Sequence, residues 1–230
     1  MAPASLKIHD LLSDRPSQTF PTRQCVFFIS GCIAGTATIP VGTLWSHSSR
    51  GSGRASWLSH LPPKSLTATT IFRAGARFGV FDVTRTLLDS WIPHSDPSRS
   101  RARIVCIGGL SGASGGLAEV MLSGVLSTQP KVPTLHAIAA QSSKLFFCFG
   151  TYTFLSTTYS KEFGLPPKPF PVALAMGATA GCAGSAILAA LEGARGAVLR
   201  NSAVGGALVI GTVISVHVTV CDVMLRWFDG

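Results

Sequence analysis

Gly31-Cys-Ile-Ala-Gly35 returns as a pattern in Gly112-Ala-Ser-Gly-Gly116 and again in Gly177-Ala-Thr-Ala-Gly181. Each copy lies in an apolar segment rich in small residues, and a second apolar segment of another kind follows it. The second segments carry Arg77-Phe-Gly-Val-Phe81-Asp82, Leu145-Phe-Phe-Cys-Phe149-Gly150 and Cys221-Asp222. Recurrence of this sort determines architecture before any single residue does. It predicts an all-α chain of three tandem two-helix units within 230 residues.

Composition says what surrounds those helices. The chain is 47% hydrophobic and only 13% charged, with a mean hydropathy of +0.40. A soluble domain carries about 25% charge, so the deficit points to lipid-facing surface. Charge-free runs at 24–49, 104–118, 145–160, 169–191 and 201–220 make the same point. Three of them reach the roughly 20 residues that cross a bilayer as a helix. The run from Ile104 reaches that length only by tolerating Glu119. The competing reading is a bundle of buried core helices.

The net charge of +9 and a pI near 9.7 do not indicate nucleic acid. Arg50, Arg54, Lys64, Arg99, Arg101, Arg103 and Lys168 are scattered through connections, with no basic helix face and no aromatic-basic motif. Anionic lipid headgroups are the expected partner of such connections. Cys25, Cys32, Cys106, Cys148, Cys182 and Cys221 form no Cys-x-x-Cys pair or Cys/His cluster and read as small packing residues, so no metal or cofactor is expected. His47, His60, His94, His136 and His217 are isolated. Residues 1–22 read as a tail without the apolar core of a secretory signal. No Gly-x-Ser-x-Gly, phosphate loop or metal cluster is present, and no enzyme activity is expected.

Six helices are predicted at 23–44, 69–91, 103–126, 135–159, 170–195 and 203–228, grouped as repeats over about 23–92, 103–160 and 170–229. Prolines break most connections. The break between the fifth and sixth helices has none. The odd helices carry small residues four apart, which let membrane helices approach closely. The second helix differs, holding Arg73, Arg77, Asp82, Arg85 and Asp89 within a span-length segment. Such charges are unfavourable against lipid and belong in a protein interior or a water-filled cavity. A surface-lying amphipathic helix is the alternative for that segment.

Three tandem pairs, glycine-spaced odd helices and the run from Arg73 to Arg85 together resemble the mitochondrial carrier family, and within it the tricarboxylate (citrate) branch. Gly115-Gly-Leu-Ala-Glu119, Leu191-Glu192-Gly-Ala-Arg195 and Cys221-Asp222-Val-Met-Leu-Arg226 add to the resemblance. It covers residues 23–229 and implies six transmembrane helices around a central cavity. It also implies the mitochondrial inner membrane, and exchange of a small anionic carboxylate such as citrate by alternating access between two gates of ion pairs.

Residue by residue, the resemblance puts Asp82 with Arg85 and Asp222 with Arg226 in one gate. Glu192, Arg195 and Lys131 fall in the other. Substrate positions are Arg73 and Arg77, which share a helix face, with Gln141 and Lys144 on the fourth helix. Two departures stand out. The first and second copies of the odd-helix gate are lost, and Gly206 and Val209 occupy positions where the sixth helix should be basic. The span from Arg195 to Asp222 is also too short for the surface helix the family inserts. A non-transporting membrane protein on a degenerate carrier scaffold is therefore the alternative function. A translocase-like protein with four spans is a third. Asp82–Arg85 and Asp222–Arg226 also have a local reading, as pairs neutralised within one helix at i,i+3 and i,i+4.

Overall fold

A computed structural model describes residues 20–49, 64–92, 100–126, 132–163 and 170–229. Six α-helices account for nearly all of them: α1 (Phe20–Ser49), α2 (Lys64–Trp91), α3 (Ser100–Val125), α4 (Leu135–Phe163), α5 (Phe170–Leu191) and α6 (Gly196–Asp229). Four of them, α1, α3, α5 and α6, are long and apolar enough to cross a membrane. α2 and α4 are as long but carry more polar residues. α1 begins at Phe20, within the tail expected over 1–22. α1 also runs through Pro40 to Ser49, past its expected end at Leu44.

Consecutive helices pack on one another, and α1 also packs on α6, so the contacts close into a ring. The largest interfaces lie within the pairs α1–α2, α3–α4 and α5–α6. Each repeated glycine pair is at the corresponding seam. A Cβ on Gly31 would lie 2.8 Å from the Ala74 carbonyl oxygen, one on Gly112 2.5 Å from that of Leu145, and one on Gly177 3.0 Å from that of Gly211. The glycines therefore set how closely the backbones of each pair approach, as small residues do where lipid supplies no hydrophobic drive between helices. Large apolar side chains face outward, among them Ile29, Ile33, Leu110, Met121, Phe154 and Leu208.

Helix ends follow local chemistry. The Thr134 side-chain oxygen accepts from the Ala137 amide at 3.2 Å and caps α4. The proline-free break falls at Leu191, not Arg195. Gly193, at φ +80°, ends α5: its amide donates to the Ala190 carbonyl and that of Ala194 to the Ala189 carbonyl. These two bonds form a Schellman cap around a left-handed glycine. α6 then starts at Gly196, seven residues earlier than its apolar run suggests. The four residues between α5 and α6 leave no room for an intervening helix.

Gly112→Ala should lower the thermal midpoint of the detergent-solubilised protein, with a loss of about 1–3 kcal/mol from overpacking. Gly42, around which a Cβ meets nothing within 4 Å, provides the control. Gly42→Ala should raise stability by roughly 0.5–1 kcal/mol through helix propensity. Thermal unfolding of both variants checks the seam assignment.

Candidate functional site

The ring contains a pocket of about 250 Å³. Its wall is built by Thr38 of α1, by Thr70, Arg73, Ala74 and Arg77 of α2, and by Glu119 of α3. Gln141, Lys144 and Leu145 of α4 and Val209, Ile210 and Val213 of α6 complete it. The four residues read from sequence as substrate-binding, Arg73, Arg77, Gln141 and Lys144, thus line one pocket. Arg73 and Arg77 do so because they are one helical turn apart on α2. Val209 lines the pocket too, whereas Gly206 faces Gly181 and Ser185 on α5.

Glu119 organises this wall. Its Oε1 accepts from Arg73 Nη2 at 3.1 Å, and its Oε2 accepts from Arg77 Nε at 2.8 Å and from Gln141 Nε2 at 2.9 Å. Arg77 Nη2 reaches the same oxygen at 2.6 Å. The carboxylate is 6% exposed. A buried charge needs this degree of compensation. The sequence reading included Glu119 in a motif without giving it a role. The available signal was an acid interrupting an otherwise charge-free stretch, since such a residue requires a buried partner.

Beyond the pocket along the ring axis lies an aromatic layer. Phe78 stacks on His217 with centroids 3.6 Å apart, Phe81 stacks on Phe149 at 4.5 Å, and Phe78 meets Phe149 edge-on at 5.8 Å. Leu145, Cys148, Ile210, Val213 and Ile214 fill the space around them. His217 Nδ1 is 2.9 Å from Ser30 Oγ, which is also 2.9 Å from Cys221 Sγ, a buried polar link between α1 and α6. His217 and Cys221 are both buried and meet one turn apart on α6, with Sγ 3.7 Å from Nε2.

A second polar group lies past the aromatic layer and corrects the gate expected there. Asp82, 1% exposed, accepts from Arg23 Nη2 and Gln24 Nε2, each at 2.8 Å, and not from Arg85. Asp82 and Arg85 stay electrostatic neighbours, but the direct bonds to the carboxylate come from the guanidinium and amide that α1 brings onto it. Asp222 and Arg226 do pair along their own helix at 2.7 Å, as the local reading has it. Arg103 joins α3 to the end of α2 through Asp89 Oδ1 at 2.8 Å and the carbonyls of Asp89 and Ile92. These carbonyls belong to the unsatisfied end of a helix, where a cation is favoured.

The other expected gate is not assembled among the described residues. Glu192 and Arg195 are in the exposed α5–α6 turn, where the cap at Gly193 interrupts the helix that would have aligned them. They form no ion pair there. Lys131 lies outside the described residues. The described residues contain no cluster of three or more His, Cys, Asp or Glu placed to hold a metal ion.

Comparison with protein-family models, with curated proteins and with solved structures finds no match.

Removing the buried acid and removing the exposed base should have unequal effects. Asp82→Ala strips Arg23, 29% exposed, and Gln24 of their shared buried acceptor and should cost about 1–3 kcal/mol. Arg226→Ala, at a side chain 60% exposed, should cost no more than about 0.5 kcal/mol. Denaturation of the two purified variants in the same detergent measures the contrast.

Proposed function

We propose that the protein is a multi-pass membrane carrier of small anionic carboxylates, built on the scaffold that the sequence resembles and working in the mitochondrial inner membrane. The observation that carries this reading is the convergence of Arg73, Arg77 and Lys144 on one pocket within the ring. Guanidinium groups bind carboxylates through paired donors, and a cation lining a cavity between membrane helices is a functional group by default. The three glycine seams support a threefold arrangement, with α2, α4 and α6 supplying most of the pocket wall. On this reading the chain is a transporter and not an enzyme.

The reading requires α2 and α4 to cross the membrane although only four helices are apolar enough to do so on composition. The charges on α2 make this tenable. Arg77 and Asp82 point inward and are paired, and the outward positions include Phe72 and Leu87. Cysteine accessibility distinguishes six crossings from four. Ala68→Cys and Ser90→Cys, at opposite ends of α2 in a background without native cysteines, should react with a membrane-impermeant maleimide from opposite faces. Labelling from one face would overturn the six-span arrangement.

Uptake into proteoliposomes tests the transport itself. Vesicles loaded with malate or citrate should show saturable exchange that other carboxylates inhibit, and Arg77→Ala should reduce the rate at least about tenfold, the equivalent of one charge-assisted contact. A specific observation favours a second reading, a non-transporting protein on the same scaffold: Arg73 and Arg77 are already neutralised in part by Glu119. Uptake that does not saturate, or that is indifferent to Arg77, would select that reading.

A further inference from the structure

We propose that Glu119 sets the charge of the anion this pocket accepts, confining binding to doubly charged anions such as small dicarboxylates and disfavouring tricarboxylates. The inference rests on the carrier reading and refines its substrate class. Among the described lining residues the cations are Arg73, Arg77 and Lys144, and the only acid is Glu119. Three positive charges less one negative leave a net of two.

Glu119 does not remove the cations from service. It occupies Arg77 through Nε and Nη2, but Arg73 through Nη2 alone. Arg73 Nε is buried and has no hydrogen-bond partner, an orphaned donor on the pocket wall. A guanidinium left with an unmade donor is incompletely compensated by Glu119 and so retains attraction for an anion in the pocket. Lys144 lines the same pocket and makes no ion pair among the described residues. Two carboxylates, one meeting Arg73 and the other Lys144, would match the net charge. The facing wall of Val209, Ile210 and Val213 provides apolar surface for a short carbon chain and no further donor side chain. A third carboxylate would have to share the pocket with the buried Glu119 carboxylate. Like-charge juxtaposition is how sites reject an unwanted partner.

Thermal stabilisation of the full chain in detergent and exchange by proteoliposomes, both at neutral pH, test the assignment with succinate, citrate and pyruvate as probes. The unmodified protein should favour succinate over citrate by roughly tenfold in both assays, as expected for one uncompensated charge. Glu119→Gln raises the net charge to three and should shift the citrate-to-succinate ratio upward by roughly tenfold. Lys144→Gln lowers it to one and should shift preference toward pyruvate, and it decides the question alone if Glu119→Gln does not yield folded protein. A preference for citrate in the unmodified protein, or ratios unmoved by the variants, overturns the proposal. Stabilisation by succinate without exchange overturns transport and leaves the charge assignment standing. No stabilisation by any probe overturns both.

Discussion

A carboxylate enclosed by two guanidinium groups and an amide fixes how half of this ring fits together. Glu119 projects from α3, Arg73 and Arg77 from α2, and Gln141 from α4. Burying one charge without partners costs far more than a hydrogen bond returns, so the three helices must meet in a register that satisfies all of these groups at once. The glycine seams make that register possible. Gly115 lets α3 approach the Arg77 carbonyl, where a Cβ would stand 2.8 Å away, and Gly116 lets α3 approach Gln141 and Ser142. Small residues supply closeness, and the carboxylate supplies the unique alignment. Neither suffices alone, since a surface of small residues tolerates sliding and a charge held at a distance is merely unfavourable.

The same physics makes the interior one-sided. Along α2 the chain presents Arg73 and Arg77, then Phe78 and Phe81, then Asp82. Along α4 it presents Gln141 and Lys144, then Leu145 and Phe149. Stacked rings separate the polar pocket from the polar contact of Asp82 with Arg23 and Gln24. With packed rings between them, the two buried carboxylates are each satisfied within their own level, Glu119 by Arg73, Arg77 and Gln141 and Asp82 by Arg23 and Gln24. The link from Ser30 to His217 performs the equivalent service where the last helix returns to the first. The ring is closed there by a hydroxyl and an imidazole, not by full charges, which costs less to bury.

The features legible in the sequence were those recorded locally. Recurrent glycines marked the seams, and a four-residue interval placed Arg73 and Arg77 on one face. The apolar runs located six helices, although the α5–α6 boundary moved because a Schellman cap at Gly193 acts within one turn and leaves hydropathy unchanged. What could not be read was the choice of partner. Asp82 has Arg85 three residues away, yet it binds Arg23 and Gln24, nearly sixty positions distant. Glu119 takes cations more than forty positions distant in the chain, and no spacing rule on one helix encodes that. Asp222 does take its neighbour Arg226, at a more exposed position. Local spacing predicted the exposed pair and failed for the buried ones, because burial raises the value of better-aligned donors from other helices.

This distribution of charge bears on what the ring can do. A carrier that exposes its site alternately needs a closure at each end, each strong enough to hold and weak enough to release. On the carrier reading, the contact of Asp82 with Arg23 and Gln24 serves as the closure beyond the aromatic layer. At the pocket end Glu192, Arg195 and Arg200 are exposed, and Glu192 and Arg195 do not pair with each other across the glycine turn. On the carrier reading, the aromatic side is the closed end of this state, and Glu192 and Arg195 would take other partners when the pocket end closes. In that opposite state Asp82 would have to give up its α1 partners, and Arg85, already on the same helix three residues away, is positioned to take their place.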